Sequence, residues 1–440
     1  MSVGPSLRAH LVRGVFGTLG LTVLTAGLTF VNGVLLARLL GAQNYGIYAA
    51  ATGIVLLVTL PLALGFDRLI VRNVAASASA ESWSLARGLI VRAVELVVPV
   101  TIGAIVIIGL AAVALQGSFA PGTVPVLLIA LLTIPPTVLI IVRRALTLGL
   151  KRIVSSQLPE NLVRPGMFTA LLAIAYVTAG KLAATTAMAL NLAAITVALV
   201  VGLYLLWRQA PRELRSAEPH FETRNWLREA APFALAAAAQ TLMTQVDVVL
   251  VGGLAGATPA GLYAVAARGA GLTLFGAAAV GTTLAPTAAQ LWANNEHARL
   301  QRLVTRAARG AFLFALGVAI VMWLFGPQFL LLFGDEFVGA NPTLAVLSFS
   351  SVIDCGFGIA GMMLFMTGYQ ALSFASIAVA VAVRIVVDIA LIPPVGALGA
   401  AFGAVASIVV VNVMTTYFAA RRLGIDSTPL GVLRVRSPAS

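Results

Sequence analysis

Apolar runs of about 20 residues or more recur along almost the whole chain, separated by short polar gaps, and few folds tolerate that pattern. A helix needs roughly 20 apolar residues to cross about 30 Å of hydrocarbon. Twelve such runs stand at 14–37, 46–66, 90–115, 123–146, 160–180, 182–207, 230–253, 261–290, 308–333, 341–367, 371–392 and 396–420. Hydrocarbon offers no partner to a backbone N–H or C=O, so a spanning segment must be a helix or part of a closed barrel. Barrel strands alternate apolar and polar residues over about ten positions, and these runs do not. The chain is therefore expected to be an all-α, multi-pass membrane protein with 12 transmembrane helices. Its 60% hydrophobic and 10% charged residues agree, since soluble domains carry far more charge.

The basic residues orient these spans. Of the 28 Lys and Arg, 24 fall in alternate gaps, from Arg8 and Arg13 through Arg143 and Arg144 to Arg434 and Arg436. The other gaps hold only Arg38 and Lys181, while Arg268 and Arg384 lie inside runs. Basic residues near span ends stay cytoplasmic, so both termini are expected in the cytoplasm, which requires an even number of spans. The net charge of +13 is then a record of orientation, with membrane lipids as its partner and no nucleic acid implied. The first run follows a basic N-terminus but exceeds a signal core in length, and is read as an uncleaved span.

The most polar connection divides the chain into a six-helix lobe at 1–207, a cytoplasmic linker at 208–229, a second six-helix lobe at 230–420 and a basic cytoplasmic tail at 421–440. Six spans is an even number, so the lobes should be parallel repeats. The segment from Leu39 to Ala49 matches that from Leu254 to Ala264 at six of eleven positions, each between the first and second spans of its half. In this register Asn32 corresponds to Asp247. Parallel lobes around a central cavity can expose it to either side in turn, with substrate held near the midplane.

Ionised groups inside a span cost roughly 2.5–3.5 kcal/mol on insertion scales, so each should face a cavity or a partner. Gln240, Thr244 and Asp247 share one helical face, and Arg268 of the next span is expected to reach it. Arg384 and Asp388 stand four apart and can pair within one helix. Each of these groups has a packing explanation as well as a cavity-lining one. Arg68 and Arg72, after the second span, are either orienting charges or a basic mouth for an anionic head group, to which the planar guanidinium fork is suited. Arg38 breaks the charge rule on the far side.

Enzyme chemistry finds little support. His10, His220 and His297 are scattered, the lone Cys355 rules out an intrachain disulfide, and no glycine loop leads into Lys and Ser/Thr. No catalytic group, cofactor or metal is expected.

The stretches Leu36–Tyr48, Gly65–Ala75 and Gln245–Gly252 resemble the pattern of bacterial polysaccharide-unit flippases. So do Leu364–Gln370 and Gly396–Ala401, and Ala260–Arg268 leading to Leu284–Pro286 is similar to lipid II flippases. The resemblance spans about 14–424 and lies within the multidrug/oligosaccharidyl-lipid/polysaccharide exporter superfamily. It implies alternating-access transport of an undecaprenyl-pyrophosphate-linked oligosaccharide repeat unit across the bacterial cytoplasmic membrane. A cationic cavity of Arg268, Arg68, Arg72 and Arg38 would meet the pyrophosphate. Asp247, Gln240, Asn32, Arg384 and Asp388 would supply coupling or polar lining, and a glycan polymerase and export machinery are the implied protein partners. Twelve spans instead of fourteen argue against lipid II as cargo. A multidrug or cation antiporter of the same superfamily, and a membrane glycan polymerase or ligase, are the alternatives.

Overall fold

The computed structural model describes residues 5–424 except 64, 81–82, 275–283, 285–286, 289, 293, 295 and 358–359, together with Asp426, Thr428 and Pro429. Residues 276–279, Gly-Ala-Ala-Ala in sequence, and the basic residues Arg434 and Arg436 lie outside the described residues. What is described is helical throughout, and ten helices are long and apolar enough to cross a membrane. One of these ten, Val23–Leu62, is 40 residues long and is two helical arms joined at a break. The run expected at 261–290 is described as a helix only over Ala257–Gly271, and most of the rest falls outside the description.

The chain forms two compact units, Met1–Thr241 and Leu242–Ser440. The first contains α1 (Pro5–Leu62), α2 (Phe66–Ala80), α3 (Trp83–Ala114), α4 (Thr123–Leu131), α5 (Ile134–Gly149), α6 (Ile153–Leu158), α7 (Arg164–Ala179), α8 (Ala184–Gln209) and α9 (Arg212–Ser216). α10 (Thr223–Leu254) crosses from one unit to the other. The second unit contains α11 (Ala257–Gly271), α12 (His297–Leu331), α13 (Asn341–Phe357), α14 (Ala360–Met366), α15 (Gln370–Val395) and α16 (Ala397–Leu423).

Breaks in these helices have local causes. Gly41 adopts φ 68° and ψ 173° inside α1, and Gly256, between α10 and α11, adopts φ 97° and ψ 178°. Only glycine takes this region without strain. Between α6 and α7, a single π turn at Pro159–Val163 widens the helix, as π-bulges do.

In the first unit α2 lies on α5, burying Phe66, Leu69, Ile70 and Val74. In the second, α15 and α16 run together along a seam of small residues that includes Ala397, Gly399, Ala400, Gly403 and Ala404. Small residues allow the close backbone approach that drives helix association in lipid. Side chains on α3 run the other way. Ile102, Val106, Ile107 and Leu110 are exposed, as a lipid-facing surface requires.

In the first unit the polar stretch after α8 is fastened to the start of α3. Arg87 donates to the carbonyls of Arg215 and, at 2.6 Å, Ala217, and the His220 N–H donates to Ser84 O at 3.1 Å. Arg92 stacks over Phe221 at 4.5 Å. Gly88 is pressed against the backbone of His220 so closely that a Cβ there would lie 1.8 Å from its oxygen. In the second unit, Gln301 of α12 brackets the backbone of Asp426, accepting from its N–H at 2.9 Å and donating to its C=O at 2.6 Å.

Candidate functional site

The second unit contains a buried charged junction built by α10, α11 and α15. α10 carries Asp247, only 3% exposed, and α15 carries Arg384 at 6% and Asp388 at 0%. Arg384 Nη2 donates to Asp247 Oδ2 at 2.6 Å, and its Nε lies 2.5 Å from Oδ1. The remaining terminal nitrogen of Arg384 donates to the carbonyl of Met243, one helical turn before Asp247. Tyr263 of α11 donates its hydroxyl to the same Asp247 carboxylate. Asp247 is thus held on one side by a guanidinium and on the other by a phenol.

Asp388 is in a different position. It sits one turn beyond Arg384, beside Asp247, and is fully buried. Behind it is the backbone of α16, where a Cβ on Gly403 would lie 1.9 Å from Asp388 Oδ1. Only glycine lets the two helices close over the carboxyl.

This geometry revises one expectation. Arg384 can pair with Asp388 within α15 by spacing, but its ion pair is with Asp247 across a helix interface. Arg268 lies half-buried in the last turn of α11. Gln240 and Thr244 are exposed on α10, whereas Asp247 is buried.

In the first unit Asn32 is buried between α1 and α7. Its amide donates to Pro165 O at 3.1 Å and its carbonyl accepts from the Thr169 hydroxyl at 2.8 Å. Arg38 is exposed just before the Gly41 break, while Arg68 and Arg72 are exposed on α2. The arm from Ala42 to Leu62 separates Arg38 from the α2 pair, and at 1.5 Å per residue it spans about 30 Å. The structure therefore does not bring Arg38 together with Arg68 and Arg72. Arg68 stacks over Phe233 at 5.5 Å, and Arg72 pairs with Glu229, both partners belonging to the first turns of α10.

Sequence reasoning passed over a second buried ion pair. Arg143 of α5, 2% exposed, donates to Glu160 at 2.5 Å and to Ser156 O at 3.0 Å, and it packs on Gly202 of α8. Arg143 had been counted only among the orienting charges. Its helical position and a glutamate close to a proline inside an apolar run were the available signals. Among the described residues, no group of three or more His, Cys, Asp or Glu is placed to hold a metal.

Solved structures share this architecture over nearly the entire chain. An inward-facing multidrug resistance MATE family transporter of the MOP superfamily superposes with a TM-score of 0.74 at 16% identity, covering 91% of this chain and 94% of that one. The lipid II flippase MurJ, in an inward closed conformation, gives 0.70 at 11% identity, covering 92% and 87%. A MOP superfamily transporter from Pyrococcus furiosus, described as having a binding pocket of reverse polarity, gives 0.65 at 15%, covering 94% and 95%. The fold is that of these MOP superfamily structures, with ten helices among the described residues long and apolar enough to cross a membrane. The model of the family described as polysaccharide biosynthesis protein matches residues 11–292, and the chain belongs to that family. The MatE model matches residues 232–390, a range that contains Asp247, Arg384 and Asp388. No curated protein matches the sequence.

Proposed function

We propose that the protein is a flippase carrying an undecaprenyl-pyrophosphate-linked oligosaccharide repeat unit across the bacterial cytoplasmic membrane by alternating access. The observation that carries this reading is membership of the polysaccharide biosynthesis family over residues 11–292, on the fold of a transporter. Such a cargo has an anionic head that cannot enter hydrocarbon unaided, and a basic lining offsets its desolvation.

The proposed architecture has twelve spans in two parallel six-helix lobes, with both termini cytoplasmic. Two features support the count against the ten helices that qualify by length and composition. Val23–Leu62 divides at Gly41 into two arms, and Ala257–Gly271 begins a further apolar run. Arg268, Arg68, Arg72 and Arg38 are the proposed contacts for phosphate at successive stages of transport. Glu229 already holds Arg72, so a phosphate arriving there would compete with a carboxylate for the same guanidinium. Asp247, with Gln240, Asn32, Arg384 and Asp388, belongs to the coupling apparatus in this reading. A glycan polymerase and export machinery would receive the product.

Mass spectrometry of polyprenyl-linked sugars in the native host tests the proposal. A deletion strain should accumulate a complete, unpolymerised repeat unit, relieved by the intact gene and not by Arg268→Ala at equal abundance. Relief by Arg268→Ala would remove that residue from the phosphate site. Absence of accumulation with surface glycan unchanged would overturn the flippase reading. It would favour a multidrug antiporter, to which the MatE match and the multidrug relative lend weight.

A further inference from the structure

α8 presents two unlike faces. Asn191, Ile195, Ala198 and Gly202 are buried in the first unit, whereas Val200, Leu203, Tyr204 and Trp207 are exposed. The exposed four fall at i, i+3, i+4 and i+7, which makes one stripe along the helix. A stripe of large apolar side chains on a spanning helix belongs against lipid. Its last two members are the residue types that settle where hydrocarbon meets water. Trp207 is 65% exposed, so the fold leaves most of this side chain uncovered.

At this end of α8 two guanidiniums lie over the two rings. Arg208 is 5.9 Å from the centre of the Tyr204 ring, and Arg215 of α9 is 5.5 Å from that of Trp207. α9 is short, but it is fixed in place. Leu214 is buried, and the carbonyls of Arg215 and Ala217 accept from Arg87 of α3. Arg212 is exposed on the same short helix. Among the described residues, Arg208, Arg212 and Arg215 enter no ion pair with a carboxylate, although Glu213 stands between the last two. A guanidinium over a ring is held by the ring's negative face, and that contact uses none of its five N–H donors. Charges that only orient a span need be no more than close to its end. They do not require the chain to fold back and lay one of them on an exposed tryptophan.

We propose that the end of α8 and α9 together form a binding site for an anionic phospholipid. Arg208 and Arg215, with Arg212 beside them, take the phosphate, whose oxygens a planar guanidinium fork binds in pairs. The acyl chains lie along Val200 and Leu203, a stripe that rises about 10 Å from Trp207 at 1.5 Å per residue. Basic pockets at the ends of spanning helices are where anionic head groups collect. A free phosphate would meet the guanidiniums and leave the stripe unused. A zwitterionic lipid would bring a cation of its own against three arginines. A partner protein is the poorer occupant, because the stripe lies within an apolar run long enough to cross a bilayer. Lipid binding itself is independent of cargo. The leaflet that supplies the lipid rests on the orientation proposed above, in which this end of α8 is cytoplasmic.

Native mass spectrometry of the full-length protein, titrated in detergent with phosphatidylglycerol, cardiolipin or phosphatidylethanolamine, tests the site. The two anionic lipids should be retained in preference to phosphatidylethanolamine. Arg208→Gln combined with Arg215→Gln should weaken phosphatidylglycerol binding about tenfold or more, through loss of charge-assisted hydrogen bonds. Arg208→Lys with Arg215→Lys keeps the charge but loses the stacked fork, and should recover only part of the binding. Arg302→Gln with Arg306→Gln makes the same change of charge on exposed residues of α12, and should bind as the unaltered chain does. Should a double variant not be recovered, its single changes give the same comparison at smaller size. Equal loss in the α12 variant, full recovery by the lysines, or equal retention of phosphatidylethanolamine would overturn the proposal, since each reduces these arginines to surface charge. Displacement of the lipid by an equal concentration of inorganic pyrophosphate would overturn it too, making the site one for free phosphate. The readout is lipid retained and not glycan moved, so the lipid site and the flippase reading stand or fall separately.

Discussion

A charge inside a membrane protein is worth what its partners make it, and the two buried arginines show this in different ways. Arg143 and Glu160 neutralise each other within the first unit. Replacing Arg143 with Met should leave the Glu160 carboxylate buried and alone, a loss of about 3–5 kcal/mol, while Arg143→Met with Glu160→Gln should recover much of it. Unfolding midpoints of the detergent-purified variants would show whether the double change is the milder one. Little of this pairing was legible beforehand. Asp247 stood out because an acid deep in an apolar run demands an explanation. Its partner Arg384 lies 137 residues away, and the i,i+4 rule pointed instead to Asp388, a neighbour on the same helix. Local spacing reports the face on which a residue stands and says nothing of which helix will be packed against it. Tyr263 carried little signal of its own, since a tyrosine near a span end is common in interfacial belts. The constant separation of 215 residues would have recovered Tyr48, Tyr263, Thr169 and Arg384 together, had it been carried beyond the loop match.

Helices in this chain are divided by backbone conformation more than by changes of composition. α1 reads as two runs, 14–37 and 46–66, and the structure joins them into one element whose only interruption is Gly41. The separation was legible from the polar residues between the runs. The sharpness of the joint was not, since it depends on a φ/ψ pair that glycine alone adopts easily. Gly41→Ala and Gly256→Ala should each cost about 1–3 kcal/mol, because both positions require the same backbone region. Glycine-to-alanine at exposed helical Gly253, which has open space around its Cα, should be neutral or mildly stabilising. Folded yield after membrane extraction distinguishes the three. Equal yields would mean that the joints relax and that the repeated glycines mark ancestry alone.

The alternation of basic gaps predicts the orientation of the whole molecule, and accessibility can check it. In a Cys355→Ala background, a single cysteine at Arg38 or Lys181 should react with a membrane-impermeant maleimide in intact cells. One at Arg212 or Arg302 should react only after permeabilisation. The opposite pattern would invert the chain in the membrane and place the basic residues of α2 on the other side. Hydropathy gave the helical class and most of the spans, because the bilayer constrains every span in the same way. It marked the stretch from Arg208 to Arg228 as a polar linker without showing how the linker is held. That stretch is anchored by carbonyls on Arg87, by His220 on Ser84 and by Phe221 beneath Arg92. Anyone wishing to express the halves as separate polypeptides, or to place a fluorescent reporter between them, would choose this segment by inspection. A fusion placed near His220 would have to displace backbone already seated against Gly88, so the loop should tolerate insertion about as poorly as the interior of a helix.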